Sequence, residues 1–195
     1  RQDTQVLLDM ARAANPVAVE EVVPNLLTVG DVQRVLQGLL AEGVPVRDLP
    51  TILEILGDRA KMTKDIGLLV EYVRQGMPRV VTAQYLGEDG KLHVFTLDPG
   101  VEKAMLESVH QVNGELVLGL EPAFAEKIIS GMAEKAENIA GRGYQPVLLC
   151  SSSVRRFVRR LTSKILARMA VLSYEEVSPD AEIDNLGMVE VALEV

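Results

Sequence analysis

Glu42-Gly-Val-Pro-Val-Arg-Asp-Leu-Pro-Thr-Ile-Leu-Glu54 is the stretch that shows how the first part of this chain is organised. Pro45 and Pro50 make it a short, stiff connector between two amphipathic helices. The connector carries an Arg-Asp pair, Arg47 and Asp48, and no nucleophile or metal-ligand cluster lies near it in the sequence. A rigid charged pair loses less conformational entropy on docking than a flexible one. The pattern therefore favours a contact surface over a reaction centre.

Helical periodicity extends from the connector in both directions over residues 1–80. Asp3 and Asn15-Pro16 are predicted to start the first two helices, and Thr63 the last. The helices on either side of the connector present apolar residues at helical spacing, namely Val32, Val35, Leu36 and Leu39 before it and Ile52, Leu53, Ile55 and Leu56 after it. We therefore predict a helical subdomain over residues 1–80.

Residues 81–195 alternate between strand-like and helical patterns. The predicted strands are 80–86, 91–97, 115–120, 146–150, 170–174 and a weak strand or ordered tail from residue 183 onward. Asp89-Gly90 predicts a hairpin between the first two. Helices are predicted from Pro99, Pro122 and Ser153. The fold class is therefore α+β, a helical subdomain followed by a small α/β sandwich with a mixed sheet.

Composition narrows the class of protein. The 195 residues are 48% hydrophobic and 25% charged, which is ordinary for a globular core, and no apolar run reaches the ~18 residues needed to cross a bilayer. A net charge of −8 disfavours nucleic-acid binding. Cys150 is the single cysteine, so no internal disulfide can form. No cofactor-binding or zinc motif is present, and His93 is expected at the surface of a strand.

The negative charge is distributed unevenly. Residues 81–195 contain 11 Lys and Arg against 17 Asp and Glu, and 6 of those cations lie on one predicted helix from Arg155 to Arg168. Arg155, Arg156, Arg159 and Arg160 are candidate partner-binding residues for an acidic partner. The alternative, pairing with acids of the same domain, is left open here, because exposed ion pairs contribute only ~0–1 kcal/mol each.

Cys150 and Arg156 have the Cys-x5-Arg spacing of a phosphatase phosphate loop. Leu149 replaces the usual preceding His, three serines replace the loop glycines and Phe157 follows the Arg. A buried cysteine followed by helix-capping serines explains the stretch more simply. A small phosphatase-like enzyme stays as an alternative function, and a generic adaptor domain as another; a non-enzyme is favoured.

Five sequence segments resemble the FlhA family, the export-gate proteins of the bacterial flagellar type III secretion apparatus. Their injectisome relatives share the pattern. The segments run in order along nearly the whole chain, at residues 42–54, 63–74, 97–99, 146–151 and 171–177. The resemblance implies the last part of the cytoplasmic region of a longer membrane protein, at the cytoplasmic face of the inner membrane. Two of these segments resemble the flagellar proteins more than the injectisome proteins, and the choice between the two groups is left open.

The resemblance also implies partners and a role. The family's cytoplasmic region forms a nine-membered ring that receives export chaperones with their cargo and soluble export components, and needs no cofactor. At most the first helices, near residues 7–27, would contribute to the chaperone cleft. Candidate subunit-interface residues are the charged groups of the helical subdomain, Arg47, Asp48, Glu54, Lys64, Asp65 and Arg74. Arg47 and Asp48 are expected to meet complementary charge on a neighbouring subunit.

Overall fold

The computed structural model describes residues 1–192, and residues 193–195, the end of the predicted tail, lie outside the described part. Contacts divide the chain into two compact units, Arg1–Val81 and Thr82–Val195. We call them the helical unit and the α/β unit. Among the described residues, none of the helices combines the length and the apolarity needed to span a bilayer.

Most helices of the helical unit begin at a side-chain cap. The first does not, because Arg1 precedes it without a cap hydrogen bond and the predicted cap Asp3 lies inside the helix. The last predicted start is also shifted, since Asp65 and not Thr63 is the cap. Asn15 accepts a hydrogen bond from the backbone N–H of Ala18, and Thr28 and Asp31 form a reciprocal capping box. The helices are α1 (Gln2–Ala14), α2 (Pro16–Val22), α3 (Val29–Ala41), α4 (Leu49–Arg59), α5 (Ile66–Gly76) and α6 (Pro78–Ala83). Their inward stripes form an aliphatic core that includes Leu8, Val19, Val35, Leu39, Leu53, Leu56, Leu69 and Val73.

The predicted hairpin around Asp89-Gly90 is wrong. Its first strand, residues 80–86, is instead largely the helix α6 followed by a turn. Pro78 at the first helical position is favourable because its missing N–H is not needed there, and this outweighs the strand preference of the β-branched residues that follow. The strand β1 (Lys91–Leu97) pairs in parallel with two later strands.

The α/β unit contains a four-stranded sheet in the order β5-β4-β1-β6, and every pairing in it is parallel. The remaining bounds are α7 (Pro99–Glu107), β2 (Val109–Val112), β3 (Glu115–Leu118), α8 (Pro122–Gly141), β4 (Val147–Cys150), α9 (Ser152–Thr162), β5 (Ala170–Ser173), a 3-10 turn (Tyr174–Glu176) and β6 (Glu182–Val189). Apolar residues of α7, α8 and α9 pack with β1, β4 and β5 around Phe95, Met105, Met132, Leu148, Val158 and Val171. The α+β class is confirmed.

The antiparallel hairpin of this unit lies elsewhere, between β2 and β3. Its turn is Asn113-Gly114, and both residues have positive φ, 51° and 86°. Asn-Gly is the pair that such tight two-residue turns prefer, since both central positions need the left-handed region. The sequence signal was present, and β2 was missed because Val109–Val112 is short and half polar.

Candidate functional site

The connector between α3 and α4 is fixed at both ends by buried aliphatic residues. Val44 is fully buried, and its backbone N–H donates to the Leu39 carbonyl at 2.9 Å. Gly43 permits this sharp exit from α3 with a φ of 72°. Leu49 is buried at the start of α4. The exposed residues between these anchors are thus presented on a stiff segment.

Arg47 and Asp48 are both exposed, but their side chains are engaged differently. The Asp48 carboxylate is the N-cap of α4 and accepts from the Thr51 backbone N–H at 3.3 Å and the Thr51 hydroxyl at 2.7 Å. Arg47 forms no ion pair and no side-chain hydrogen bond with any of residues 1–192. The positive member of the pair is therefore the one available to a neighbour. Sequence analysis missed the capping role of Asp48, although Asp before Leu-Pro is a typical helix start.

Lys64 and Asp65 are exposed and serve as helix caps. Lys64 Nζ donates to the carbonyls of Ala60 and Leu26, each at 2.6 Å, and Asp65 accepts from the Leu68 N–H at 3.1 Å. Asp48 and Lys64 thus lie at opposite ends of α4, whose 11 residues span about 16 Å at 1.5 Å per residue. The predicted interface residues do not form one cluster.

Glu54 lies on α4 and is exposed. Within residues 1–192 it makes no ion pair and no side-chain hydrogen bond. Of the six predicted interface residues, Arg47 and Glu54 are the two whose charged groups have no hydrogen-bond or ion-pair partner among residues 1–192.

Arg74 corrects the prediction of an exposed interface residue. Its side chain is fully buried on α5 and lies 3.4 Å from the Glu42 carboxylate. Glu42 is the C-cap of α3 and begins the connector. A long arginine on an inward helix face can bury its stem and reach a carboxylate, which composition alone does not reveal. Arg74 therefore anchors the connector from inside the helical unit and cannot itself contact a neighbour.

An apolar groove borders the exposed connector. Its volume is about 350 Å³, and its lining comes from α1, the connector and the first residues of α4: Leu7, Met10, Ala11, Ala14, Val46, Arg47, Leu49 and Pro50. Met10 is 67% exposed and Leu7 38%, so apolar surface remains open beside the Arg47 guanidinium. Arginine and methionine are both enriched at protein interfaces relative to the rest of the surface, and Arg47 and Met10 both line this groove.

Arg155 corrects the prediction for the basic helix. It is only 1% exposed, its Nε lies 3.3 Å from the fully buried Glu176 carboxylate, and its guanidinium donates to the Val171 carbonyl at 3.0 Å. The Glu176 carboxylate also accepts from the Ser173 N–H. Internal pairing is thus the role of Arg155, and a partner cannot reach it.

The other arginines of the predicted set lie nearer the surface. Arg156 is half-buried with its guanidinium carbon 5.0 Å from the Phe157 ring centroid, and Arg159 donates to the Met169 carbonyl at 3.3 Å. Arg160 is exposed and donates to the Leu116 carbonyl of β3 at 3.2 Å. The exposed positive charge therefore lies toward the C-terminal end of α9.

The Cys150-x5-Arg156 stretch does not have the geometry of a phosphate loop. Cys150 is fully buried, and its thiol lies 3.8 Å from the Leu172 carbonyl that accepts its hydrogen. The Ser151 N–H at the start of α9 donates to the Glu102 carboxylate at 3.0 Å. A carboxylate of the chain thus occupies the position where a phosphatase would hold its anion. No observation favours the phosphatase alternative.

His93 is buried, not at the surface as expected. Its Nδ1 lies 2.9 Å from Asp184 and its Nε2 2.9 Å from Asp89, and its ring stacks on Tyr144 with centroids 3.6 Å apart. The Lys91 N–H, and then His93, lower the pKa of the Asp89 carboxyl below its usual value. Across residues 1–192, no three His, Cys, Asp or Glu side chains are grouped to hold a metal ion.

The chain matches known proteins over nearly its whole length. The model of the FHIPEP family matches residues 1–182. Flagellar biosynthesis protein FlhA of Bacillus subtilis is 41% identical over 191 residues, which cover 98% of this chain and 28% of the relative. FlhA of Borreliella burgdorferi is 37% identical over 191 residues, covering 98% and 27%. The chain therefore spans little more than a quarter of the length of these relatives.

Solved structures of related proteins share the fold. The Chlamydia pneumoniae CdsV protein superimposes with a TM-score of 0.88 at 29% identity, covering 97% of this chain and 54% of that one. Nonameric EPEC SctV-C superimposes with a TM-score of 0.85 at 29% identity, covering 96% and 56%. The extent of the family match and the identity to the flagellar proteins confirm the resemblance found in the sequence, and the chain belongs to the FHIPEP family.

Proposed function

We propose that this chain is a non-catalytic assembly and docking module of the flagellar type III export apparatus and forms part of a cytoplasmic ring. Family membership supports a component of an export apparatus. A ring is supported by the similarity to SctV-C and to the EscV cytosolic domain, both of which are described as nonameric. The flagellar assignment is supported by the 41% identity to a flagellar protein, against 29% for these two.

The observation that carries the proposal is the surface around Arg47. An exposed guanidinium with no ion pair or side-chain hydrogen bond inside residues 1–192 lies on an anchored connector at the rim of an apolar groove. A preorganised segment loses little entropy on binding, and an arginine next to apolar side chains can dominate the energy of an interface. A contact of this surface with a different surface of the next copy is heterologous, which is the arrangement that closes rings.

Docking of export chaperones with their cargo is a further part of the proposal. Helices α1 and α2 expose large apolar side chains, with Val6 54%, Met10 67% and Val17 71% exposed. Such side chains fit a role at the edge of a docking cleft that other parts of a longer protein would complete. Soluble export components are proposed as partners because the related CdsV has been solved in complex with CdsO. The proposed location is the cytoplasmic face of the inner membrane.

The mass of the chain in solution tests the Arg47 contact. We expect sedimentation equilibrium to show reversible self-association that weakens as salt is added, because Arg47 is exposed to screening. Arg47→Glu should reduce the association constant about tenfold or more, since it places a like charge at the contact. Arg34→Glu is the control for the change of charge, because Arg34 is another exposed cation of the helical unit whose ion pair, with Asp31, lies within its own helix.

Two results would contradict the Arg47 assignment. One is a chain that stays monomeric at the highest attainable concentration, and the other is equal weakening by Arg47→Glu and Arg34→Glu. Circular dichroism of each variant distinguishes a loss of self-association from a loss of folded structure. Neither variant should change the helical signal, because both side chains are exposed.

A further inference from the structure

Three cations beyond the middle of the basic helix are available to a partner. Arg160, Lys164 and Arg168 are exposed. Within the described residues 1–192, none of the three forms an ion pair, although the domain around them is acidic. Within residues 1–192, the Arg160 side chain hydrogen-bonds only to the Leu116 backbone carbonyl, which carries no formal charge to balance the guanidinium. These three side chains differ from that of Arg155, whose charge is paired with the Glu176 carboxylate in the core.

The backbone keeps Arg160 and Lys164 in helical register. α9 ends at Thr162, but the N–H groups of Ile165 and Leu166 both donate to the Thr162 carbonyl, at 3.1 and 2.7 Å. The chain therefore continues to wind in the helical sense after Thr162. Residues four apart on such a winding lie on one side of it, which places Lys164 beside Arg160. The backbone bends at Leu166, and Arg168 follows in the next turn, where the Met169 N–H donates to the Leu166 carbonyl.

Apolar groups lie among these charges. Ile165 is 61% exposed in the same turn as Lys164. The Arg160 guanidinium holds the Leu116 carbonyl at 3.2 Å, and the Leu116 side chain is 39% exposed on the β2–β3 hairpin. We name the set Arg160, Lys164, Ile165, Arg168 and Leu116 the cationic surface. It combines point charges with apolar contacts, which is what an amphipathic ligand requires.

We propose that the cationic surface binds an acidic protein segment that folds as an amphipathic helix, with its carboxylates on the cations and its apolar side chains on Ile165 and Leu116. Charge complementarity selects this occupant. Without the 6 cations of the basic helix region, residues 81–195 hold 5 Lys and Arg against 17 Asp and Glu, so any ligand with negative charge over a broad area is repelled around the surface.

The other anionic ligands fit less well. A nucleic acid carries a closely spaced phosphate backbone, and binding usually combines cations with aromatic side chains that stack on bases, whereas none of the five residues is aromatic. A membrane surface calls for a larger apolar face on the binding helix than one exposed isoleucine provides. A short acidic helix matches both the size and the mixed chemistry of the cationic surface. The inference is independent of the ring contact at Arg47.

Fluorescence anisotropy with a labelled synthetic probe tests the proposal. The probe is a Glu-rich peptide with Leu at positions i, i+3, i+4 and i+7, and the protein is the whole chain. We expect salt-sensitive binding that Lys164→Glu weakens about fivefold and Lys164→Glu with Arg168→Glu weakens at least about tenfold, from the energies of exposed ion pairs. Ile165→Ser should weaken binding at every salt concentration. Lys103→Glu is the matched control, since Lys103 is an exposed cation on α7.

The outcomes separate the proposal from its rivals. A probe with Gln in place of every Glu should bind at least about tenfold more weakly, because it lacks the charge that the cations attract. Equal weakening by Lys103→Glu and Lys164→Glu would overturn the inference, as would an unbound Glu-rich probe. Tighter binding of double-stranded DNA or of anionic phosphatidylserine vesicles than of the peptide would overturn it in favour of those ligands. If the Arg47→Glu variant is monomeric and still binds the probe, the result supports binding at the cationic surface and shows that it does not depend on the proposed ring contact.

Discussion

The buried ion pair between Arg155 and Glu176 gives the sharpest prediction about stability. Replacing Arg155 with Met removes the charge but keeps an apolar side chain in place. The Glu176 carboxylate then stays fully buried without its cation, and the Val171 carbonyl loses a donor at 3.0 Å. Removing one partner of a buried pair costs about 3–5 kcal/mol, because the remaining charge is desolvated without compensation. We therefore expect the α/β unit to lose about 3–5 kcal/mol of unfolding free energy.

Urea unfolding followed by circular dichroism measures this loss. With a urea slope of about 2 kcal/mol per molar, 3–5 kcal/mol lowers the midpoint of the α/β unit by about 1.5–2.5 M. The helical unit should keep its own midpoint, because Arg155 and Glu176 both belong to the α/β unit. Lys164→Met is the matched control on the same helical segment and should change the free energy by less than about 0.5 kcal/mol.

A double variant distinguishes a lost ion pair from general damage to packing. Arg155→Met together with Glu176→Leu leaves no buried charge at this site, and such apolar replacements of an ion pair are often neutral or stabilising. We expect the double variant to recover most of the stability that Arg155→Met loses. If Arg155→Met costs less than about 1 kcal/mol, or if the double variant is the weaker protein, the ion pair does not contribute as described.

Three further predictions concern other parts of the chain. Gly114→Ala should destabilise the β2–β3 hairpin by about 1 kcal/mol in thermal unfolding, because alanine is strained at a φ of 86°. Hydrogen bonds from Thr28 lower the pKa of the Asp31 carboxyl, so its charge stabilises the fold above the unfolded pKa of about 3.9 and this contribution is lost as pH falls through the folded value. Asp31→Asn should therefore cost about 1 kcal/mol at pH 7 and progressively less below pH about 4, in urea titrations at both pH values. The Cys150 thiol should react with a thiol reagent only at the rate of unfolding, since it is fully buried, and rapid labelling of the native chain would contradict this.

The sequence predicted the elements whose ends are set locally. Asn15 acts as an N-cap followed by proline and α7 begins at Pro99, as expected, because capping depends on residues within one turn. The predicted starts at Asp3 and Thr63 are shifted, since α1 already includes Asp3 and Asp65 caps α5. The larger failures involve partners far apart in the chain. Buried side chains next to distant carboxylates are Arg74, Arg155 and His93. The spacing of residues along the sequence does not reveal pairs that form only in the folded chain.

The candidate site was predicted only in part for the same reason. The connector and its two prolines identified Arg47 correctly as an exposed charge on a fixed segment. Asp48, Lys64 and Asp65 were assigned to a neighbour, whereas they are also used as caps inside the helical unit. Charge is visible in a sequence, but whether a charged side chain is exposed, and whether it already has a partner, depends on which elements meet in the fold.

The position of β1 in its sheet has a consequence for biosynthesis. β1 is among the first elements of the α/β unit to leave the ribosome, yet one of its two neighbours is β6, the last strand in chain order within residues 1–192. Until residues 182–189 emerge, the nascent sheet presents an open row of backbone donors and acceptors on a strongly apolar strand. A translation stop before Glu182 should consequently yield a product that aggregates or is degraded.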